Sequence, residues 1–164
     1  MKYFSFSLLL LLCACYGRKP IKTGLEGQPM PALDLIALDS TTHVKTENIP
    51  AGKTTILFSF EPWCPYCKAQ TEEMLDQIKS FKNANIYMLC GSPFPTVRKF
   101  FDHYQLSRYP NIKVVVDSSR SFRNYFNNYQ IPFIAVYAHD NKLRQAFIGK
   151  SNIKTIAEVV EEIK

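Results

Sequence analysis

Several things are scarce in this chain of 164 residues, and each scarcity closes off a class of protein. Lys and Arg total 20 against 14 Asp and Glu, a formal net charge of +6, yet no run of four cations occurs between Lys19 and Lys164. A nucleic-acid-binding surface needs a concentrated basic stripe, so this charge is read as solubility. Five cysteines are too few for a disulfide scaffold at this length. No internal repeat and no Ser/Gly-rich linker divides the chain, which leaves room for one domain. No apolar run reaches the roughly 20 residues that a spanning helix requires. What remains is 46% hydrophobic and 21% charged, the balance of an ordinary globular domain and not of a disordered or low-complexity tract.

The longest apolar stretch, Tyr3 to Tyr16, follows a single cation, Lys2, and ends in small or soft residues. A charged start, a short apolar core and a small residue near its end describe an export signal over residues 1–14. Leu12-Cys13-Ala14-Cys15 resembles the bacterial lipobox, which implies that Cys15 becomes the lipidated first residue; Cys13 fits worse, because Leu12 then fills the small position. Removing the signal takes Lys2 with it and lowers the net charge to +5. The polar, Gly- and Pro-containing residues that follow suggest a flexible tether over residues 15–27, ahead of a domain spanning residues 28–164. Export places that domain in an oxidising compartment.

Within the domain, apolar β-favouring runs alternate with helical spacing. Thr54–Phe60, Ile86–Cys90 and Ile112–Val116 predict buried strands. Pro65–Phe81, with Met74, Ile78 and Phe81 on one face, predicts a helix. So do Thr96–Gln105, with Val97, Phe100, Phe101 and Tyr104, and the set Phe122, Tyr125, Phe126 and Tyr129. Phe133–Ala138 and Leu143–Ile148 flank the turn-prone His139-Asp140-Asn141-Lys142 and predict a hairpin. A last helix starts at Ser151 or Asn152 and carries Ile153, Ile156, Ala157, Val160 and Ile163 on one face. Ala32–Leu38 is a weaker extended stretch. The order is that of an α/β fold: a mixed central sheet, parallel in its core and antiparallel at its last hairpin, with helices on both faces.

Trp63-Cys64-Pro65-Tyr66-Cys67 sits where a buried strand hands over to a helix. A cysteine at a helix N-terminus lies beside unpaired backbone N–H groups and the positive end of the helix dipole, which favours its thiolate. A second cysteine one turn later can resolve a mixed disulfide. Cys64 is therefore the expected nucleophile and Cys67 the resolving thiol, with Pro65 suited to the first turn and Trp63 shielding one side of an open Cys64 sulfur. Half of a zinc site is a poorer account, because only Cys90, His43, His103 and His139 remain as ligands and their spacings are scattered. A purely structural disulfide closes so small a loop that it gains little stability. Ile131-Pro132-Phe133 opens a later strand at a position where the missing proline N–H is tolerated.

A strand, WCPYC, a helix and a later Ile-Pro in this order resemble the thioredoxin fold over roughly residues 28–164. The longer pattern, from QPMPALDLIALDS through MLCGSPFPTVRKFFDHY and IKVVVDSS to YQIPFIAVYAHDNKLRQAFIG, is similar to the redoxin and TlpA/ResA-like branch of extracytoplasmic thiol–disulfide oxidoreductases. The resemblance implies that Pro132 is the family's cis-proline facing the cysteine pair, and that Trp63, Pro65, Tyr66, Ile131 and Pro132 meet an extended substrate. It implies protein thiols or disulfides as substrates, a membrane-bound or soluble thiol electron donor, no cofactor beyond a redox-active Cys64–Cys67 disulfide, no metal, no nucleic acid, a monomer, and a lipid-held place on the membrane facing the periplasm. Two departures stand out. The buried Asp that many thioredoxins carry before the motif is Phe58 here, and the Glu of some relatives is Gln70.

A copper carrier of the Sco type shares this fold, and soft thiolates with His139 would suit Cu(I), although those proteins favour CxxxC. A peroxiredoxin needs a Thr three residues before its reactive Cys, where this chain has Glu61 before Cys64 and Cys64 before Cys67. Glu61, three residues before Cys64, is either a carboxylate that assists the cysteines or, as most Glu are, a solvated loop residue, and the second is the expectation. Cys90 is expected to be a buried core thiol, His139 a solvated turn residue, and the aromatics around Phe100 and Phe126 core faces of helices.

Overall fold

Residues 20–163 are described by a computed structural model. The expected export signal over residues 1–14, and Cys13 and Cys15 with it, lie outside the described residues. The strands are β1 (Asp34–Ala37), β2 (His43–Lys45), β3 (Thr54–Phe60), β4 (Ala84–Cys90), β5 (Ile112–Val116), β6 (Phe133–Tyr137) and β7 (Leu143–Ile148). The helices are α1 (Pro65–Asp76), α2 (Phe94–His103), α3 (Ser121–Tyr125) and α4 (Ile153–Glu162). They form one sheet in the order β2-β1-β5-β4-β3-β6-β7.

β3, β4 and β5 run parallel, each joined to the next by a helical crossover, and β6 lies antiparallel against β3. All seven residues of β3 are buried, because layers cover both faces of the sheet. With a period of two, Ile56, Phe58 and Phe60 face one core, shared with Met74 of α1, Val97 and Phe100 of α2, and Ile156 and Val160 of α4. Leu57 faces the other, with Leu35 of β1, Phe122 of α3 and Phe133 of β6. The α/β architecture with helices on both faces is as the alternating runs predict.

The differences lie at element ends. The long first helix stops at Asp76 and continues as a 3-10 turn over Ile78–Phe81, which still buries Phe81. The aromatic helix closes at Tyr125, two residues before Asn127 adopts a positive φ of 46°. Tyr125 and Tyr129 are consequently exposed, whereas Phe122 is core and Phe126 packs against it. β2 has only three residues and no apolar alternation to announce it.

The expected tether of residues 15–27 is not free from Pro20 onward. Ile21 N–H donates to the Ala146 carbonyl at 2.9 Å and Gly27 N–H to that of Leu143 at 2.8 Å, while Leu143 N–H donates to Gln28 at 2.9 Å. This segment lies along the outer edge of β7 and covers backbone groups that would otherwise be unpaired. Among the described residues, no helix is long and apolar enough to cross a membrane.

Candidate active site

β3 ends at Phe60, and four residues carry the chain to the first turn of α1. Cys64 is the N-cap of α1, with Pro65 as the first helical residue. Its extended backbone (φ −77°, ψ 117°) turns the side chain back over the helix start, where Sγ accepts the Cys67 N–H at 3.3 Å. A sulfur in the N-cap position thus takes the place of the usual side-chain oxygen, at the positive end of the dipole. The Cys64 carbonyl accepts Lys68 N–H at 3.1 Å, and Cys64 N–H donates to the Glu61 carbonyl at 3.0 Å.

The two thiols differ in burial. Cys64 keeps 4% of its surface and Cys67 none, so the expected open sulfur is a nearly covered one. Trp63, at 70% exposure, and Tyr66, at 63%, stand out in solvent on either side, and Pro65 is exposed as well. Burial pushes the Cys67 thiol well above its ordinary range, and the hydrogen bond it shares with Cys64 adds to this. Both cysteines are free thiols, as is Cys90.

Pro132 reaches the same end of the sheet through strand pairing. Phe133 is opposite Ser59, so the residue before it lies at the end of β3 that leads to Cys64. The Ile131–Pro132 peptide is cis, the Pro132 carbonyl accepts Gly149 N–H at 2.7 Å, and Ile131 packs on the core cluster that contains both cysteines.

Glu61 corrects the expectation of a solvated loop residue. It is 3% exposed and pairs with Arg123 of α3, Oε1 to Nη2 at 2.7 Å. Ser92 Oγ donates to its other oxygen at 2.6 Å, and the Cys90 thiol approaches that oxygen at 3.5 Å. Arg123 also donates to Ser59 Oγ at 3.0 Å and to the Phe60 carbonyl at 3.4 Å. The network ties β3, the loop after β4, and α3 together directly behind the cysteine loop. Gly91 leaves room for it, since a β-carbon there would come within 3.2 Å of Glu61 Oε1. Glu61 and Arg123 are 62 residues apart, and no local pattern links them. A charged residue directly after a buried strand-like run is the one local hint.

Gln70, one turn after Cys67, is fully buried and accepts the Ser151 N–H at 2.7 Å, which fastens α1 to the start of α4. Cys90 is a core thiol as expected, pushed up to about 12 chiefly by burial. His139 does not join the cysteines. Tyr137 pairs with Thr55 at the start of β3, so the exposed His139 sits at the opposite end of the strand, about 20 Å away at the usual rise per residue. The Sco-like arrangement of His139 with Cys64 and Cys67 is therefore ruled out by the register of β6.

Comparison with curated proteins finds no match. Solved structures share the fold at low identity. The thioredoxin domain of a thiol-disulfide oxidoreductase from Bacteroides vulgatus is 16% identical with a TM-score of 0.69, over 85% of this chain and 98% of that one. A secreted Mycobacterium tuberculosis disulfide oxidoreductase homologous to E. coli DsbE is 15% identical with a TM-score of 0.67, over 80% and 96%. StoA from Bacillus subtilis is 16% identical with a TM-score of 0.61, over 78% and 95%. Residues 27–156 match the AhpC/TSA family as a whole. With that match across most of its length, a thioredoxin-like sheet and a cysteine pair at the head of α1, the chain belongs to the AhpC/TSA family of redoxin oxidoreductases.

Proposed function

We propose that this protein is a lipid-anchored thiol–disulfide oxidoreductase that exchanges disulfides with extracytoplasmic proteins through Cys64 and Cys67. The observation that carries the reading is Cys64 Sγ held at the N-terminus of α1, accepting the Cys67 N–H, at the sheet end where the cis Ile131–Pro132 peptide also lies. Helix N–H groups stabilise a thiolate at that sulfur.

In the reductive direction the Cys64 thiolate attacks one sulfur of a substrate disulfide. A Cys64–substrate disulfide forms, and the displaced substrate sulfur leaves as a thiolate that takes up a proton. Cys67 then gives up its proton and attacks Cys64 Sγ, which releases the second substrate thiol. Two electrons pass to the substrate and the Cys64–Cys67 disulfide remains, to be reduced by a thiol donor. No further cofactor enters the balance. Burial of Cys67 keeps it protonated until the first step is complete. Trp63, Pro65, Tyr66, Ile131 and Pro132 border the pair and are assigned to substrate contact. Cys15 is assigned as the lipidated residue that holds the chain, as a monomer, to a bacterial membrane on its periplasmic side.

The test is reduction of insulin disulfides by the wild type, Cys64→Ser and Cys67→Ser. Loss of turnover in Cys64→Ser, with a trapped mixed disulfide in Cys67→Ser, is expected; wild-type turnover in Cys64→Ser overturns the assignment. The direction follows from the potential of the couple, with about −270 mV marking a reductant and about −120 mV an oxidant.

A further inference from the structure

A groove of about 440 Å³ opens beside the cysteine loop, between the start of α1 and the outer face of α2. Trp63, Phe100 and Tyr104 line it, and Lys68, Lys99 and His103 edge it. It is continuous with Cys64 through Trp63, the preceding residue. All three of the basic residues are exposed. Among the described residues neither lysine is held in an ion pair, whereas Lys150 is matched to Glu73 at 2.5 Å. Glu72, one helical turn after Lys68 on α1, accepts the Tyr104 hydroxyl at 3.0 Å.

We infer that this groove docks a protein substrate through an extended segment that carries an apolar or aromatic side chain flanked by carboxylates, next to its reactive cysteine. The inference rests on the oxidoreductase reading and adds a substrate class to it. The Trp63 indole, 70% exposed, is costly to leave in water, and an apolar side chain seated against it, over the buried Phe100, removes that surface. Unpaired lysines at the rim attract carboxylates, and repel clients whose cysteine is flanked by Lys or Arg.

Trp63 is the one tryptophan in the chain, so its fluorescence reports on the groove without any redox step. The reduced protein is titrated with two cysteine-free decapeptides of equal length, each with a central Phe, one flanked by Asp and Glu and the other by Lys. The acidic peptide is expected to bind at least about fivefold more tightly at low salt, the size expected for one or two exposed charge pairs. That gap closes near 1 M salt, and Lys99→Glu reverses the order. Equal affinities, an order that Lys99→Glu leaves unchanged, or no fluorescence response to either peptide overturns the groove. Insulin turnover is measured alongside. Lost turnover with intact peptide preference defeats the catalytic reading alone, and intact turnover without preference defeats the groove alone.

Discussion

The two ends of the parallel strands β3, β4 and β5 are built differently. At their carboxyl ends the chain places Cys64, the Glu61–Arg123 pair and Asp117, all nearly buried, with the half-buried Ser92 beside them. Asp117 accepts Ser121 N–H at 2.9 Å and Phe122 N–H at 3.0 Å, the first donors of α3. At the amino ends there are turns around Gly52, Asn83 and Asn111, with His139 exposed beside them. There Asn111 donates to the carbonyls of Phe81 and Ala84. Helices begin at the first end and finish at the second. A beginning helix presents unpaired N–H groups and a positive pole, which thiolate and carboxylate satisfy; an ending one presents carbonyls, for which a neutral amide is enough. Chemistry that needs stabilised negative charge therefore gathers at the carboxyl end.

Substitutions at the two ends put this contrast to the test. The largest effect is expected from Glu61→Ala, which strands the Arg123 guanidinium in the interior. It should cost about 3–5 kcal/mol in urea unfolding, and Glu61→Ala with Arg123→Leu should recover much of that. A cost under about 1 kcal/mol for Glu61→Ala would place that carboxylate with the solvated loop residues. Asp117→Ala leaves two backbone donors of α3 unpaired and is expected to cost about 2 kcal/mol, read in the same way.

The pH dependence comes next. Cys90, pushed up to about 12 by burial, stays a neutral thiol in the fold at pH values where the unfolded chain already ionises. Its contribution is complete below the ordinary thiol value of about 8.5 and is lost as pH climbs through the range up to about 12. Under reducing conditions the urea midpoint should fall between about pH 8 and pH 10.5. Cys90→Ala should make that fall shallower, leaving the part due to Cys67, which shifts in the same direction. The smallest effect is expected at the other end. His139→Ala should change stability by no more than about 0.5 kcal/mol, and leave insulin turnover at the wild-type value.

The legible parts of the fold were those with a period. β3, β4 and β5 announce themselves as apolar runs, and α4 carries its stripe from Ile153 to Val160 behind the Asn152 cap, whose side chain accepts Lys154 N–H at 2.9 Å. The cysteine pair was legible for a related reason: its chemistry depends on a local spacing and a local helix start. The burial of Glu61 is not legible, because its partners come from the loop after β4 and from α3, far along the chain, and an isolated Glu is usually solvated. The exposure of Tyr129 is not legible either, because a helical spacing says nothing of where the helix stops.

By itself the sequence determined the strands and helices that carry a period, β2 excepted, and that two cysteines stand one turn apart at a helix start, because periodicity, capping and spacing act between near neighbours. The tertiary structure alone decided that Glu61 meets Arg123, that Pro132 reaches the end of β3 near Cys64 while His139 lies at the other end, and that Trp63 shares a groove with two unmatched lysines. Those relations depend on strand register and helix crossing, which bring residues together only after the sheet has closed.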